Sequence, residues 1–165
     1  MALASRDGFE TVLPPPESIV VPGRMEKAIL NDESLLIMDG AHNGQKMDTF
    51  VSSFKAQYPT QKAVVMIALK TGKEFQEVID ALHSITSELI ITSFNTSQDL
   101  PAISQDPKII EDYCMQKNIK TITIESSDEA TDYLLNQKSE IKIITGSFYL
   151  LGQVRHLLAN KSVLL

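Results

Sequence analysis

Six short runs rich in apolar and β-branched residues punctuate the chain, at 25–30, 35–38, 63–68, 89–92, 121–124 and 141–144. After the second run, each is followed by a mixed polar and apolar stretch of helical length, and the spacing predicts helices over 46–57, 73–85, 107–117, 128–137 and 147–159. A strand, a helix-length segment and another strand make a crossover, and successive right-handed crossovers build one parallel sheet covered on both faces. In 46–57, Met47, Phe50, Val51 and Phe54 recur at helical spacing and define a stripe for burial. In 147–159, Leu150, Leu151, Val154, Leu157 and Leu158 do the same, leaving Arg155 and His156 for solvent or an interface. Only Asn31-Asp32-Glu33-Ser34 separates the first two runs, which suits a hairpin. The expected architecture is a three-layer, Rossmann-like α/β domain of about six mostly parallel strands, with an antiparallel first pair.

Residues 1–22 break this pattern. Three consecutive prolines at 14–16 favour an extended conformation and cannot donate to a ladder, so this segment is expected to be an arm or linker and 23–165 the domain. No apolar run is long enough to span a membrane, and the first ten residues lack the apolar core of a signal peptide. The single cysteine, Cys114, excludes a disulfide framework and metal-knuckle spacing, so a reducing, cytoplasmic setting is expected. The net charge of −6 argues against nucleic acid as a partner. An anionic ligand must then be held by a few placed groups against the overall field.

In folds of this kind ligands bind at the carboxyl ends of the strands. One such end is Asp39-Gly40-Ala41-His42-Asn43-Gly44. Two readings stand side by side there. Asp39 can accept from vicinal hydroxyls beside a helix N-terminus suited to an anion, or Asn43 simply caps the helix and Asp39 takes backbone N–H groups. His42 has no neighbouring acid or nucleophile in the sequence. A second strand end is Thr145-Gly146-Ser147-Phe148-Tyr149, where Ser147 can grip a carboxylate or phosphate or act as a plain cap. A serine nucleophile is not expected, because Tyr149 stands where the nucleophile elbow needs its second glycine. Lys70 and Lys73 follow a third strand end and can balance anionic charge, although lysines on such loops are usually only solvated. Asn95 and the hydroxyls of 92–96 follow a fourth. The Walker pattern of a P-loop occurs nowhere in the chain.

The stretches "PGRMEKAIL", "LLIMDGAHN" and "TGSFYLLGQVR", in that order, resemble the C-terminal domain of folylpolyglutamate synthase/dihydrofolate synthase, a branch of the Mur ligase superfamily. The resemblance runs from about Pro22 to the C-terminus, and "ALKTGKEF" and "ITSFNTS" look like degenerate forms of two further landmarks. The chain departs from the family at Gly44, where a proline is usual, at Gly72-Lys73-Glu74, where the family has Asp-Lys-Asp, and near Ser97-Gln98, where it has Pro-Arg. The resemblance implies an ATP- and magnesium-dependent ligase that activates a dihydropteroate or folate carboxylate as an acyl phosphate and couples it to L-glutamate. It further implies a monomer whose P-loop and magnesium ligands lie on a preceding domain. Carried onto this chain, Asp39, His42 and Asn43 would face ATP, with Lys73 near the phosphates. Ser147 and Tyr149 would position glutamate, and the isolated domain would be inactive. The alternatives are a non-catalytic nucleotide- or glutamate-binding module of the same fold, or a cell-wall Mur ligase domain, which the Thr-Gly-Ser-Phe-Tyr segment disfavours.

Overall fold

The computed structural model describes residues 21–72, 74–96 and 102–160. Most of the expected N-terminal arm, and Lys73, Ser97 and Gln98, lie outside the described residues. The elements follow in the order β1 (Glu26–Ile29), β2 (Leu35–Asp39), α1 (Gly44–Gln57), β3 (Ala63–Ile67), α2 (Phe75–His83) and β4 (Thr86–Ile91). They continue with α3 (Pro107–Gln116), β5 (Thr121–Thr123), α4 (Ser127–Leu135), β6 (Ile141–Thr145) and α5 (Phe148–Asn160). The strands form one sheet in the order β1-β2-β6-β3-β4-β5. The first pair is antiparallel and all other pairings are parallel, as the sequence pattern requires.

Burial explains the layering. β3 and β6 are buried along their whole length, which is why they read as unbroken apolar runs rather than alternating ones. Ile37, Val65, Ile67 and Ile143 face α1, α2 and α3, packing on Met47, Phe50, Phe54, Val78, Leu82 and Ile110. Met38, Val64, Met66 and Ile144 face α4 and α5, packing on Ala130, Leu134, Leu150, Val154 and Leu158. The chain changes faces at β5, and β6 then returns to the middle of the sheet, between β2 and β3.

Three expectations need adjustment. β4 starts at Thr86 rather than at 89, because its polar first residues find partners at the strand's entry. Thr86 Oγ1 donates to the Leu82 carbonyl (2.8 Å), Ser87 Oγ to the Ala63 carbonyl (3.0 Å), and Glu88 pairs with Lys120 (3.2 Å). Arg155 is not left to solvent: it forms a two-pronged ion pair with the buried Glu26 of β1. Leu157 sits half-buried at the edge of the α5 stripe instead of inside it.

A charged lock closes the amino-terminal edge of the sheet. Lys142 is fully buried, yet its ammonium donates to Asp32 Oδ2 (2.7 Å), Ser34 Oγ (3.0 Å) and the Leu135 carbonyl (2.9 Å). All three donors are used, so the buried charge is compensated. The pair holds the Asp32 carboxyl down at about 2 and ties the β1–β2 turn to β6 and α4.

Candidate functional site

The two glycine-containing strand ends, far apart in sequence, meet because β2 and β6 are neighbours. Asp39 is the register partner of Thr145, and Thr145 in turn partners Ile67 of β3. β2 runs into α1 on one face while β6 runs into α5 on the other, so a crevice opens between them at their carboxyl ends. Gly146 makes this exit possible. Its φ is +98°, and a Cβ there would lie 2.7 Å from both the Ala68 carbonyl oxygen and Ile67 Cγ1. The Thr145 hydroxyl at this edge is buried without a hydrogen-bond partner among the described residues.

Asp39 anchors one wall. Its Oδ2 accepts from the Met25 amide (2.9 Å) and its Oδ1 from the Ala41 amide (2.8 Å). The Gly40 amide donates to the Gly23 carbonyl (2.7 Å), so the turn before β1 is held against the end of β2. Burial pushes the Asp39 carboxyl above its ordinary value, opposed by these two amides and by the nearby Arg24 charge. A concavity of about 490 Å³ opens here, lined among others by Arg24, Asp39, Lys46, Thr49, Ser53 and Phe148. It combines two cations, a carboxylate with lone pairs to spare, two hydroxyls and an aromatic ring.

His42 bridges to a second concavity. Its Nδ1 lies 2.8 Å from the Gly40 carbonyl and its Nε2 lies 3.2 Å from Lys46 Nζ. The carbonyl selects the tautomer protonated on Nδ1, so Nε2 accepts from the ammonium. The ring meets Phe148 edge-on, at 6.3 Å and 65°. Asn43 is the N-cap of α1, its side chain accepting from the Lys46 amide (3.0 Å). The second concavity, about 140 Å³, is lined by His42, Lys70, Gly146, Ser147, Phe148 and Tyr149. Ser147 is buried and its Oγ accepts from the Tyr149 amide (3.0 Å), starting α5. Tyr149 stacks on Phe94 (centroids 5.6 Å, 24°), and Lys70 Nζ lies 6.0 Å from its ring centre. Phe148, half-exposed, belongs to both concavities and is their common wall.

Of the residues singled out from the sequence, Asp39, His42, Ser147, Tyr149 and Lys70 come together around Phe148. Asn95 does not: 92–96 is spent on structure. Thr92 and Ser93 hydroxyls donate to the Glu125 carbonyl at 3.1 and 2.7 Å, and Thr96 Oγ1 accepts from the Ala102 amide at 3.0 Å. Sequence reasoning missed Arg24, Lys46 and Phe148. Lys46 stands in the first turn of α1, four positions after His42, and its ammonium reaches the His42 ring across the cap. Arg24 gives no local signal, because its place depends on how the β1 hairpin folds back. Among the described residues no three or more His, Cys, Asp or Glu side chains gather to hold a metal ion.

A doubly wound α/β domain with paired glycine-turn concavities at the switch point is the class defined by this fold and site. Within that class, residues 24–158 match the family model for the C-terminal domain of dihydrofolate synthetase, and the chain belongs to that family. It is 28% identical over 145 residues to the dihydrofolate synthetase of Saccharomyces cerevisiae, covering 81% of this chain and 34% of the yeast protein. It superposes on the folylpolyglutamate synthase of Thermotoga maritima with a TM-score of 0.74 at 22% identity, covering 90% of this chain and 33% of that one. FolC of Escherichia coli in complex with ADP gives 0.68 at 19% identity, with coverage of 87% and 33%. The chain therefore spans about a third of the length of these relatives.

Proposed function

We propose that this domain supplies one wall of the active site of an ATP-dependent amide ligase that joins L-glutamate to dihydropteroate or a folate. The carrying observation is that two concavities of different size and polarity share the Phe148 wall at the switch point. The larger one suits a nucleoside. Asp39 keeps free lone pairs for ribose hydroxyls, Phe148 offers an aromatic face, and Arg24 and Lys46 supply positive charge toward a phosphate chain. A structural relative solved in complex with ADP makes a nucleotide the natural ligand to test. The smaller one suits an amino acid: Ser147 and the first turn of α5 face a carboxylate, and Lys70 adds a cation.

In the reaction, the terminal phosphoryl group of ATP passes to the substrate carboxylate and ADP leaves. The amine of glutamate then attacks the acyl carbon, phosphate departs with the C–O electron pair, and the amine proton is released. This chain's part is to bind, orient and exclude water. Magnesium would balance phosphate charge. The described residues assemble no site for it, and on this reading its ligands and the P-loop belong to a partner domain. Asn43 serves this site through its cap, by starting the helix that carries Lys46. Lys73, outside the described residues, follows the loop that carries Lys70.

Isothermal titration of the chain with ADP tests the binding half of this reading. A saturable isotherm weakened by Asp39→Asn supports it, and no binding up to millimolar ADP refutes it. For catalysis, the 165-residue chain given ATP, magnesium, glutamate and dihydropteroate is expected to show no turnover. Turnover by the purified chain would refute the two-domain division of labour.

A further inference from the structure

The turn that carries Arg24 is held in an unusual conformation. Met25 has φ +45° and Gly23 φ +72°, two left-handed residues flanking the arginine. A non-glycine residue there is strained by about 1 kcal/mol or more unless its surroundings enforce it. Met25 is fixed by Asp39, as described above. Gly23 is fixed at both of its polar groups. Its carbonyl accepts from Gly40, and its amide donates to Glu26 Oε2 (2.7 Å).

Glu26 is buried, and a buried carboxylate needs a cation. That cation is Arg155, about two turns along α5 from the concavities. Its Nη1 donates to Glu26 Oε1 (3.0 Å) and its Nη2 to Oε2, the fork that matches both carboxylate oxygens. The guanidinium holds the Glu26 carboxyl below its ordinary value. The same helix touches the turn at a second point: a Cβ on Gly23 would lie 2.8 Å from Phe148 Cε1. So α5 carries the common wall at its first turn and, further along, the charge that braces the opposite wall. Arg155 itself does not line the larger concavity.

We propose that Arg155 is a positioning residue for the ligand site: through Glu26 and the Gly23 amide it fixes the turn that places Arg24 over the larger concavity. The ligand arm of the test rests on the nucleotide reading above; the structural arm does not. Amide hydrogen exchange, followed by NMR on the full chain, compares wild type with Arg155→Met and Arg155→Lys. The amides of Val65 and Ile67, central in the sheet, report global opening. Relative to them, the amides of Gly23, Met25 and Gly40 are expected to exchange about tenfold faster in Arg155→Met. Arg155→Lys keeps the charge without the fork and should fall between. Should Arg155→Met not fold, Glu26→Gln keeps the shape, loses the ion pair and is expected to give the same local pattern. Unchanged relative exchange at Gly23 and Met25 overturns the proposal. In parallel, ADP affinity should drop about fivefold or more in Arg155→Met while wild type binds. Equal ADP affinity in wild type and variant also overturns it. If wild type binds no ADP while the local exchange still rises, the nucleotide reading falls and the positioning role stands.

Discussion

Gly146→Ala is the perturbation that most directly tests how the two strand ends are joined. The native φ of +98° lies where L-residues are strained, worth roughly 1–2 kcal/mol for a side chain. The added methyl would also meet the Ala68 carbonyl oxygen at 2.7 Å and Ile67 Cγ1 at 2.7 Å. Neither neighbour yields easily, because the oxygen belongs to the backbone leaving β3 and Ile67 is fully buried. Relieving the overlap by moving the β6–α5 joint adds about 1–3 kcal/mol. A total loss near 3 kcal/mol follows, or a Tm lowered by roughly 10 °C in a domain of this size. Gly40→Ala is the matched control. The three nearest atoms to its methyl are all ring atoms of Phe148, two of them at 2.5 and 2.6 Å, and at 52% exposure that ring has open space to yield into. Its cost should stay under about 1 kcal/mol, while the displaced wall weakens ADP binding. Urea denaturation with a shared m-value separates the two. Should Gly146→Ala cost no more than Gly40→Ala, the reasoning from backbone overlap is wrong.

Lys142→Met should cost about 1–2 kcal/mol at neutral pH, since Ser34 and Leu135 lose their donor while half-exposed Asp32 returns to water. The Asp32 carboxyl is depressed in the folded protein, so its contribution is complete above 3.8 and is lost as pH falls toward about 2. Stability measured between pH 5 and 2, on the order of the range just given, should fall less steeply in the variant, and parallel curves would refute the assignment. Asp39 behaves oppositely: burial raises its carboxyl, so the folded form holds the proton more tightly and ionising it subtracts stability as pH rises above 3.8. In Asp39→Asn that falling component should vanish from the stability–pH curve, and its persistence would place its origin elsewhere. Gly44→Ala should destabilise by about 1–2 kcal/mol because its methyl meets Glu77 Cβ at 2.9 Å and the Glu77 carboxyl carbon at 3.2 Å. Adding Glu77→Ala should recover most of that loss, and strict additivity of the two changes would show that they do not touch.

The fold was legible because its signals are local and repeated. The stripe Met47, Phe50, Val51, Phe54 announces α1, and β3 and β6 announce themselves as unbroken apolar runs. Where polar residues open an element, as at Thr86-Ser87-Glu88, the pattern hid the strand, since each found its partner on another segment. The clustering of the candidate residues was legible by the same measure. Asp39, His42, Ser147 and Tyr149 lie at or just after the ends of strands that could be read, and they line two neighbouring concavities. Arg24, Phe148 and Arg155 were not legible, because each acts through a residue distant in sequence: Gly40 under Phe148, Glu26 beneath Arg155, Asp39 behind Met25. Periodicity reports which face a side chain takes, and pairing across the sheet is not written in it.

Gly44 shows what such pairing does to a functional argument. From the sequence, the start of α1 offers unpaired amides and the positive end of a helix dipole to an anion. In the fold, Asn43 takes the Lys46 amide, and the glycine leaves just enough room for Glu77 of α2 to lie against that first turn. The helix has no acidic residue of its own there, so Glu77 complements the dipole from outside. A carboxylate already in place repels a second anion approaching the same amides. On the proposed reading, the positive charge for an anionic ligand would then come from Arg24 and Lys46 in the larger concavity and from Lys70 in the smaller. Those cations are held by the folded-back turn, by His42 and by the loop after β3, so on that reading affinity for anions would depend on tertiary brackets such as Arg155–Glu26 more than on the helix that the motif introduces.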